Sequence, residues 1–594
     1  MPSKNSIPTT TGGSYVTRSR KSLGAFALVA GLGLIAAACS SDAKTATTTK
    51  AGDTTTTGVT TTTLGTTTTA APVGKKGGTV TVGAEQEPDC MDWMGACGGS
   101  SWGSWEVGYN TMPRAYDVVK DGEAYSYKPS AMLASEPTAA VVGGKQTITY
   151  VISPKAVWSD GKPMTSADFK YTWEQVTTGK DIYGTDGYID IEGVDASKPD
   201  TAVVTFKADK PYAPWRSLFG SGYGIFPEHL LAGKDRDAEM KDGYTWSGGP
   251  WKLEKWDKGN TITLVPNTAY FGDKPFLDKV VFKILADTAA EFKAFQNGEV
   301  DAIYPQPQLA TVEAIKAGGL DGQQLVTANT GNLEALWMNN VKAPFDTVKF
   351  RQAFAYAIDR DAIVKALFGG IGVDKAAQSL NPPILAAVSD PSGYSAYTKD
   401  LKKVDALMTA DGWAKGSDGI WAKGGNKASF SLQSTAGNKR RELTEQVLQA
   451  QLKEAGFDMT IDNHKAGDLF GKILPAGDFQ LALYAQVATS IDPGNCTIMC
   501  SKNIPTAANK NTGNNWTRTT VTGLDPLLEA VDYNTDLAKV TDSSKKADLL
   551  MAENMVSLPL DPLPNIGLIS SKIKSGVSDN AIYSIFGSLN HWSL

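Results

Sequence analysis

The chain has 594 residues, of which 41% are apolar and 20% are charged, and its 57 basic and 63 acidic side chains leave a net charge of −6. This length is too great for one compact core, so two or three domains are expected. No basic patch follows the first few tens of residues, which argues against a nucleic-acid-binding protein.

The N-terminus, residues 1–38, has the pattern of a secretory signal peptide. Arg18, Arg20 and Lys21 precede a sixteen-residue apolar run from Leu23 to Ala38. This run is short for a membrane span, and small and polar residues follow it, so we expect it to be removed. No later window of the sequence is long and apolar enough to span a bilayer.

Cys39 stands at the border between the apolar run and the polar residues that follow. The segment IAAAC that it ends resembles the lipobox of bacterial lipoproteins, although Ala36 occupies a position where Leu is most usual. We therefore expect Cys39 to carry a lipid that anchors the protein at the outer face of the cytoplasmic membrane. The alternative is an ordinary signal peptide that is cut elsewhere, so that Cys39 is discarded.

Residues 39–77 are predicted to form a flexible tether. Sixteen threonines occur between Ser41 and Gly78, with almost no bulky apolar side chain, so this segment cannot form a core. About 35 flexible residues have a root-mean-square reach of roughly 30 to 35 Å.

Four cysteines, Cys90, Cys97, Cys496 and Cys500, remain once Cys39 is set aside. An even number in an exported chain indicates disulfides, and three connectivities are possible. We favour local pairing of Cys90 with Cys97 and of Cys496 with Cys500, because each bridge then closes a short loop. A zinc site is the less favoured alternative, since the spacing lacks a tight CxxC.

The segment GSSWG, Gly99–Gly103, matches the GxSxG pattern of serine hydrolases, with Ser101 as the nucleophile. A nucleophile elbow needs a strand before it, and the preceding residues are Gly-rich and not strand-like. The three histidines, His229, His464 and His591, are isolated in the sequence and are expected to be structural. We therefore do not expect an enzyme, a cofactor or a metal centre.

The stretch Ala156–Val176 predicts a turn followed by a helix. Asp160 and Gly161 indicate the turn, and Thr165 with Asp168 forms a capping box at the helix start. Capping accounts for the hydroxyl and the acid in this motif without catalysis.

Two strand–helix–strand units follow later in the chain. The first has strands at Val280–Leu285 and Asp301–Tyr304, with a helix between them that ends at Gly298. The second has strands at Ala428–Thr435 and Asp458–Asp462, with a helix that ends at Gly456. Such units imply mostly parallel sheets covered by helices, so the predicted fold class is α/β.

Five segments follow one another in a fixed order. They are Ala156–Val176, SGGPWKLEKWDKGNTITLVPNTAYFGDKPFLDKVVFKIL from Ser247 to Leu285, NNVKAPFDTVKFRQAFAYAIDRDAIVKALFGG from Asn339 to Gly370, DALMTADGWAKGSDGIWAKGG from Asp405 to Gly425, and the closing SLNHWSL. Together they resemble the family 5 extracytoplasmic solute-binding proteins, the oligopeptide- and dipeptide-binding group that serves ABC importers. The resemblance covers essentially everything after the tether.

This resemblance implies a two-lobed periplasmic-binding-protein-like fold with a hinge and an extra inserted domain. Lobe closure around a ligand is then a population shift favoured by ligand contacts to both lobes. The implied bounds are 78–108 for the first part of lobe I, 109–226 for the inserted domain, 227–332 for the second part of lobe I, 333–558 for lobe II and 559–594 for the return to lobe I.

The resemblance also bears on the ligand. In peptide-binding members, an aspartate about three residues before an acid–Pro pair holds the amino terminus of the peptide. The matching pair here is Asp492–Pro493, and Thr489 stands three residues before Asp492. A hydroxyl cannot neutralise a buried ammonium, so either another acid such as Asp492 replaces the aspartate or the ligand has no free amino terminus.

By family position, twelve residues are expected to line the cleft. The tryptophans among them could stack on a sugar or pack on peptide side chains, or could belong to the local core, and the amides suit peptide and sugar alike. The candidates are Trp93, Trp102, Trp105, Tyr109, Trp337, Asn339, Tyr484, Gln486, Thr489, Asp492, Asn514 and Trp516.

The resemblance implies a protein that captures a short peptide and delivers it to an ABC permease, whose ATPase is a separate chain. An oligosaccharide is the second candidate ligand, followed by a nickel or haem complex. A receptor-like lipoprotein that signals without transport and a secreted serine hydrolase are the alternatives of other classes. We expect a monomer that is held at the membrane only by its lipid.

Overall fold

The computed structural model describes residues 74–594 except 123, 221, 510 and 511, and it describes residues 96, 97 and 121 without their side chains. The described residues all belong to one unit of the chain, 70–594. The predicted signal peptide, Cys39 and nearly all of the predicted tether lie outside the described residues.

Strands and helices alternate along the described chain. The strands are β1 (Thr79–Ala84), β2 (Tyr116–Asp121), β3 (Ala124–Pro129), β4 (Thr138–Val142), β5 (Lys145–Val151), β6 (Ile191–Lys198), β7 (Thr201–Phe206), β8 (Trp251–Asp257), β9 (Thr261–Pro266), β10 (Lys279–Ile284), β11 (Ala302–Ile303), β12 (Gln323–Thr327), β13 (Asn332–Met338), β14 (Ala414–Lys415), β15 (Trp421–Lys423), β16 (Asn426–Lys427), β17 (Ser429–Thr435), β18 (Asp458–His464), β19 (Leu481–Val487), β20 (Ser557–Pro562) and β21 (Asn565–Ile569). The longer helices are α1 (Ser166–Thr178), α2 (Thr288–Gln296), α3 (Leu309–Ala317), α4 (Val348–Tyr356), α5 (Arg360–Phe368), α6 (Leu401–Ala410), α7 (Lys439–Ala455), α8 (Leu524–Tyr533) and α9 (Leu537–Glu553).

A seven-stranded sheet forms the core of lobe I, in the order β12-β21-β11-β1-β10-β9-β8. Its central strand β1 is parallel to both β10 and β11. A five-stranded sheet forms the core of lobe II, in the order β18-β17-β19-β13-β20, and α7 connects the parallel neighbours β17 and β18. The two predicted strand–helix–strand units are thus confirmed.

The prediction of mostly parallel sheets is wrong, because both large sheets are mixed. Strands β8, β9 and β10 are antiparallel neighbours, and β13 is antiparallel to both β19 and β20. For β8 and β9 the reason is local: only residues 258–260 separate them, and so short a connection can join antiparallel strands only.

The inserted region contains an antiparallel sheet, β4-β5-β7-β6, and the hairpin β2–β3. Helix α1 begins with the predicted capping box: the Thr165 side chain accepts from the Asp168 backbone, and Asp168 accepts from the Thr165 backbone N–H at 2.8 Å. Asp168 also accepts from the Trp158 indole and from the backbone of Glu228. Its carboxylate is therefore occupied by structural bonds.

The chain passes twice between the two large sheets, from β12 to β13 and from β20 to β21. At these crossings the Asn332 amide donates to Asn565 Oδ1 at 2.7 Å, and the Thr330 hydroxyl donates to the Leu563 carbonyl at 2.7 Å. The predicted boundary at 558/559 lies inside β20, which pairs with β13, and the domain bounds stay a prediction.

None of the helices in the described part of the chain combines the length and the apolar composition that a membrane span requires.

Candidate functional site

A cleft lies between lobe II on one side and lobe I with the inserted region on the other. Its larger part has a volume of about 270 Å³. A smaller part of about 70 Å³ adjoins it. The two parts share five lining residues, which makes them one continuous cleft. The shared residues are Gly99, Ser101, Phe470, Ala485 and Val487.

Strand β19 and the loop after it form the wall on the side of lobe II. Tyr484, Gln486 and Thr489 line the larger part of the cleft here. The ring of Tyr484 lies 6.0 Å from that of Trp516, which lines the same wall. Phe470 projects into the cleft from a π-helical turn, Leu469–Ile473, and such turns are frequent at functional sites.

Four tyrosines of the inserted region form the opposite wall. They are Tyr183, Tyr188, Tyr212 and Tyr223. Gly187 lets the Tyr212 ring pack against the backbone: it has a φ of +74°, and a Cβ at this position would lie 2.6 Å from that ring. A side chain at position 187 would therefore be strained and would also displace Tyr212.

Direct bonds join the two walls. The Tyr127 hydroxyl donates to Asp492 Oδ2 at 2.7 Å, and the Tyr533 hydroxyl donates to Asp190 Oδ2 at 3.0 Å. The backbone N–H of Ala213 donates to the carbonyl of Asp532 at 2.8 Å. The lobes are thus in contact across the cleft in this structure.

Arg441 lines the smaller part of the cleft, and it belongs to a cluster of buried charges, the cleft floor. Arg441 contacts both oxygens of Glu334, at 2.6 and 3.0 Å, and Arg440 lies 3.2 Å from Glu334 and from Asp561. Burial alone would raise the pKa of Glu334, but the two arginines outweigh it and lower that pKa to about 2. Burial prevails at Asp561 and raises its pKa to about 7, and it does the same at Glu85.

Three aspartates line the larger part of the cleft at the end near α8: Asp186, Asp492 and Asp532. Burial raises the pKa of Asp492, although the hydroxyls of Tyr127 and Ser490 donate to its carboxylate and oppose the rise. Burial and then the charge of Asp186 raise the pKa of Asp532 well above its usual value. Three carboxyl groups thus lie together at this end of the cleft.

Eight of the twelve predicted lining residues lie in the lining of the cleft. Trp102 and Trp105 line the smaller part, where their ring centroids are 5.9 Å apart. The other six line the larger part. They are Tyr484, Gln486, Thr489, Asp492, Asn514 and Trp516.

The other four predicted residues occupy structural positions outside the described lining of both parts. The Trp93 indole donates to the Tyr244 hydroxyl at 2.8 Å, and the Trp337 indole donates to the Tyr484 carbonyl at 2.9 Å. The Asn339 amide donates to the carbonyls of Gly477 and Phe479. Tyr109 packs edge-to-face on Tyr583, with 4.9 Å between ring centroids.

Sequence reasoning missed the tyrosines of the inserted region and the acids Asp186 and Asp532. The available signal was a set of glycines beside them, at Gly184, Gly187, Gly220, Gly222 and Gly224. Glycine beside aromatic residues allows close approach of loops, but only the folded structure places these loops opposite α8.

The predicted local disulfide between Cys496 and Cys500 is present. Cys90 is also in a disulfide, while the side chain of its predicted partner Cys97 lies outside the described residues. Because Cys500 is bonded to Cys496, a bridge from Cys90 or Cys97 to Cys500 that would lock the lobes is not formed.

Ser101 begins a short helical turn, Ser101–Gly103, after a 3-10 turn, Ala96–Gly99, so no strand leads into it. Each histidine pairs with an aspartate: His229 with Asp160, His464 with Asp462 and His591 with Asp273. Within the described residues, no group of three or more His, Cys, Asp or Glu side chains is arranged to hold a metal ion.

The family model described as bacterial extracellular solute-binding proteins, family 5 Middle, matches residues 128–505, which is more than half of the chain. The chain belongs to this family. The solute-binding protein is therefore a relative of the peptide-binding components of ABC transporters, and membership of an extracellular family makes it an exported protein.

The dipeptide-binding protein of Escherichia coli (strain K12) is 24% identical to this solute-binding protein over 440 residues, which cover 70% of this chain and 77% of that protein. The oligopeptide-binding protein AppA from Bacillus subtilis, solved with a nonapeptide, has a TM-score of 0.76 at 21% identity and covers 88% of this chain and 100% of its own. NikZ from Campylobacter jejuni, solved with Ni(L-His), has a TM-score of 0.74 at 19% identity and covers 87% of this chain and 99% of its own. The solved structures bear out the two-lobed α/β fold.

Proposed function

We propose that this solute-binding protein captures a short peptide between its two lobes and presents it to an ABC permease. The observation that carries the proposal is the cleft itself, where neutral hydrogen-bonding groups such as Gln486 and Asn514 stand opposite the tyrosines of the inserted region. Amides can donate to and accept from a peptide backbone, and aromatic rings accept varied side chains. The names of relatives that bind dipeptides and oligopeptides support the same ligand class.

Mass spectrometry of the ligands released by denaturing the protein, after purification from its native host, tests the ligand class. Short peptides that co-purify in stoichiometric amount are the expected result. Release of oligosaccharides would favour the second candidate ligand instead of the peptide. The rings of Tyr183 and Trp516, whose centroids lie 6.5 Å apart in the cleft, would suit a sugar. A nickel complex would place the protein with relatives such as NikZ.

Cys39 is proposed to carry the lipid anchor, with residues 40–77 as the tether. The support is the sequence alone: a small residue precedes the cysteine, and polar residues follow it. Replacing Cys39 with Ser is expected to release the protein from membranes while the affinity for its ligand stays unchanged. Membrane fractionation checks this, and a variant that still needs detergent for release would contradict the anchor.

The protein is proposed to make and break no bond in its ligand. The support is that the surroundings of Ser101 lack the strand of a nucleophile elbow and that the histidines pair elsewhere. A fluorophosphonate probe is expected to leave Ser101 unlabelled. Stoichiometric labelling at Ser101 would favour the hydrolase instead.

Genes for a permease and an ATPase beside the gene for this protein would favour import over a signalling receptor.

A further inference from the structure

The charged side chains that line the larger part of the cleft are all acidic. Asp186 projects from the inserted region, and Asp492 and Asp532 project from lobe II. Among the described residues that line this part, none is Lys, Arg or His. A ligand that reaches this end therefore meets carboxylates from both walls.

Asp532 differs from its neighbours because its carboxylate is left without a hydrogen bond. It is only 7% exposed, it lines the cleft, and no donor among the described residues reaches its side chain. Asp492 accepts from Tyr127 and Ser490, and Asp186 accepts from the Asn503 amide at 3.2 Å. A buried carboxylate without a donor is unfavourable unless a ligand supplies the missing partner.

The nearby cation Lys502 is already engaged. Its ammonium lies 3.2 Å from Glu529 Oε1 and 3.2 Å from the Tyr533 hydroxyl. Lys502 lowers the pKa of Asp532 less than burial and Asp186 raise it. Lys502 therefore contacts Glu529 and Tyr533 rather than the carboxyl group of Asp532.

A glycine and an aromatic residue lie near Asp532. Residue 494 is glycine, and a Cβ built there would lie 3.1 Å from Asp532 Oδ1. Tyr212 lines the same part of the cleft, and the backbone N–H of its chain neighbour Ala213 donates to the Asp532 carbonyl at 2.8 Å. Burial, followed by the charges of Asp532, Asp186 and Asp492, raises the pKa of Tyr212. Carboxylates beside an aromatic face are a favourable environment for an ammonium or a guanidinium.

We propose that this end of the cleft binds a positively charged group of the ligand, an ammonium or a guanidinium, between Asp532 and Asp186 and beside Tyr212. The inference rests on the proposed function and narrows it, because it gives the ligand a charge. The group could be the free amino terminus of a peptide or the side chain of a lysine or arginine.

Titration calorimetry at pH 7 with defined probes separates these cases. The probes are the tripeptide Ala-Ala-Ala with a free amino terminus, three acetylated and amidated tripeptides with lysine, norleucine or glutamate between two alanines, and spermidine as a cation that is not a peptide. The proteins are the wild type, Asp532→Asn, Asp186→Asn as a second cleft variant, and Asp542→Asn. Asp542 is 60% exposed on α9, so its variant removes the same charge away from the cleft.

The wild type is expected to bind the lysine peptide or the free-amine peptide at least about 30-fold more tightly than the norleucine peptide, because loss of a buried charge partner is costly. Asp532→Asn is expected to remove that preference, and Asp542→Asn to retain it. Binding of the lysine peptide would identify a side chain as the charged group, and binding of the free-amine peptide would identify the amino terminus. The melting temperature of Asp532→Asn is expected to equal or exceed that of the wild type, since Asn is neutral. If this variant unfolds, Asp186→Asn is used instead to measure loss of the preference for the cationic peptide.

Other outcomes separate this inference from the proposed function. Equal binding of lysine, norleucine and glutamate peptides, or a preference for glutamate, would overturn the charge preference and leave peptide binding intact. Binding of spermidine alone, lost in Asp532→Asn, would support the cationic site and overturn the peptide as ligand. Binding of neither peptides nor spermidine would overturn the inference.

Discussion

Glu334 is the residue on which the buried charges of the cleft floor converge. Arg440 and Arg441, both fully buried, reach it from α7, and its side chain is 0% exposed. A buried ion pair does not by itself show stability, because both charges lose their hydration. Removing one partner, however, leaves the other charges buried without compensation.

Replacing Glu334 with Gln is therefore expected to lower the free energy of unfolding by about 3 to 5 kcal/mol. Among the described residues, Arg441 would retain no carboxylate at hydrogen-bond distance, and Arg440 would retain one carboxylate, Asp561 at 3.2 Å, beside the neutral Gln306 at 2.9 Å. Urea denaturation followed by circular dichroism measures the change. The matched control is Glu254→Gln, which breaks an exposed pair with Lys279 at 2.8 Å and is expected to cost no more than about 1 kcal/mol. If Glu334→Gln and Glu254→Gln lowered the free energy of unfolding equally, Glu334 would not be needed to compensate the buried arginines.

At the same scale, six residues that the family motifs indicate in lobe II line the cleft, while the sequence indicates none of the four cleft tyrosines of the inserted region, and a role of any of them in ligand binding stays a prediction. Tyr484 and Gln486 belong to a strand whose place in the sheet the family motifs indicate. Trp337 does not line the cleft, and nothing local could have excluded it, because all seven residues of β13 are buried and no alternation marks one face. Tyr188 and Tyr212 lie in loops that reach the cleft only through tertiary packing.

At the scale of elements, α7 is the helix whose end the sequence predicts best. It spans Lys439–Ala455, begins at an Asn438 cap and ends at Gly456, which adopts the left-handed conformation with a φ of +93°. A Cβ at position 456 would lie 2.9 Å from both the Gly419 carbonyl oxygen and the Trp421 ring. Glycine is thus required at this position for two reasons: the backbone adopts the left-handed conformation, and no room is left for a Cβ.

Replacing Gly456 with Ala is expected to destabilise the protein by more than the cost of the left-handed conformation, which is about 1 to 2 kcal/mol. Gly425→Ala separates the two reasons: Gly425 also has a positive φ, +83°, but a Cβ there has no neighbour within 4 Å. Thermal and urea unfolding of both variants measure the difference. If Gly456→Ala lowers the free energy of unfolding no more than Gly425→Ala does, the close contact with Trp421 is accommodated without loss of stability.

The strand directions show where prediction from local pattern ends. A strand–helix–strand unit such as β17-α7-β18 is visible in the sequence because its parallel pairing follows from the crossover. The pairing of β13 with β20 joins residues more than 200 positions apart, and its antiparallel direction depends on the return of the chain through lobe II. Periodicity carries no information about such a pairing.

At the scale of the whole molecule, the two crossings between the large sheets allow one lobe to rotate against the other. Closure then depends on contacts that form only when the walls meet, and ligand affinity includes the free energy of those contacts. Tyr533 provides one of them, since its hydroxyl donates to Asp190 at 3.0 Å across the cleft. Its ring also lies 4.1 Å from the Lys210 ammonium.

Replacing Tyr533 with Phe is expected to keep the ring and its contact with Lys210 and to remove two hydroxyl bonds, the one to Asp190 across the cleft and the one from Lys502 within lobe II. Only the bond to Asp190 depends on closure. A single neutral–charged hydrogen bond is worth about 1.5 to 3 kcal/mol, so the ligand should bind about 10- to 100-fold more weakly. Titration calorimetry with the ligand identified from the native host measures the affinity, and small-angle scattering measures whether the unliganded protein becomes more open.

The control for closure is a tyrosine whose hydroxyl bond stays within lobe II. The Tyr356 hydroxyl lies 3.3 Å from the Lys403 ammonium, and the ring carries the same kind of cation contact at 4.3 Å. Tyr356→Phe therefore removes a comparable bond without touching the cleft, and its affinity should equal that of the wild type. If both variants lost affinity alike, the effect would be one of general stability, and closure would have to rest on other contacts, such as that between Tyr127 and Asp492.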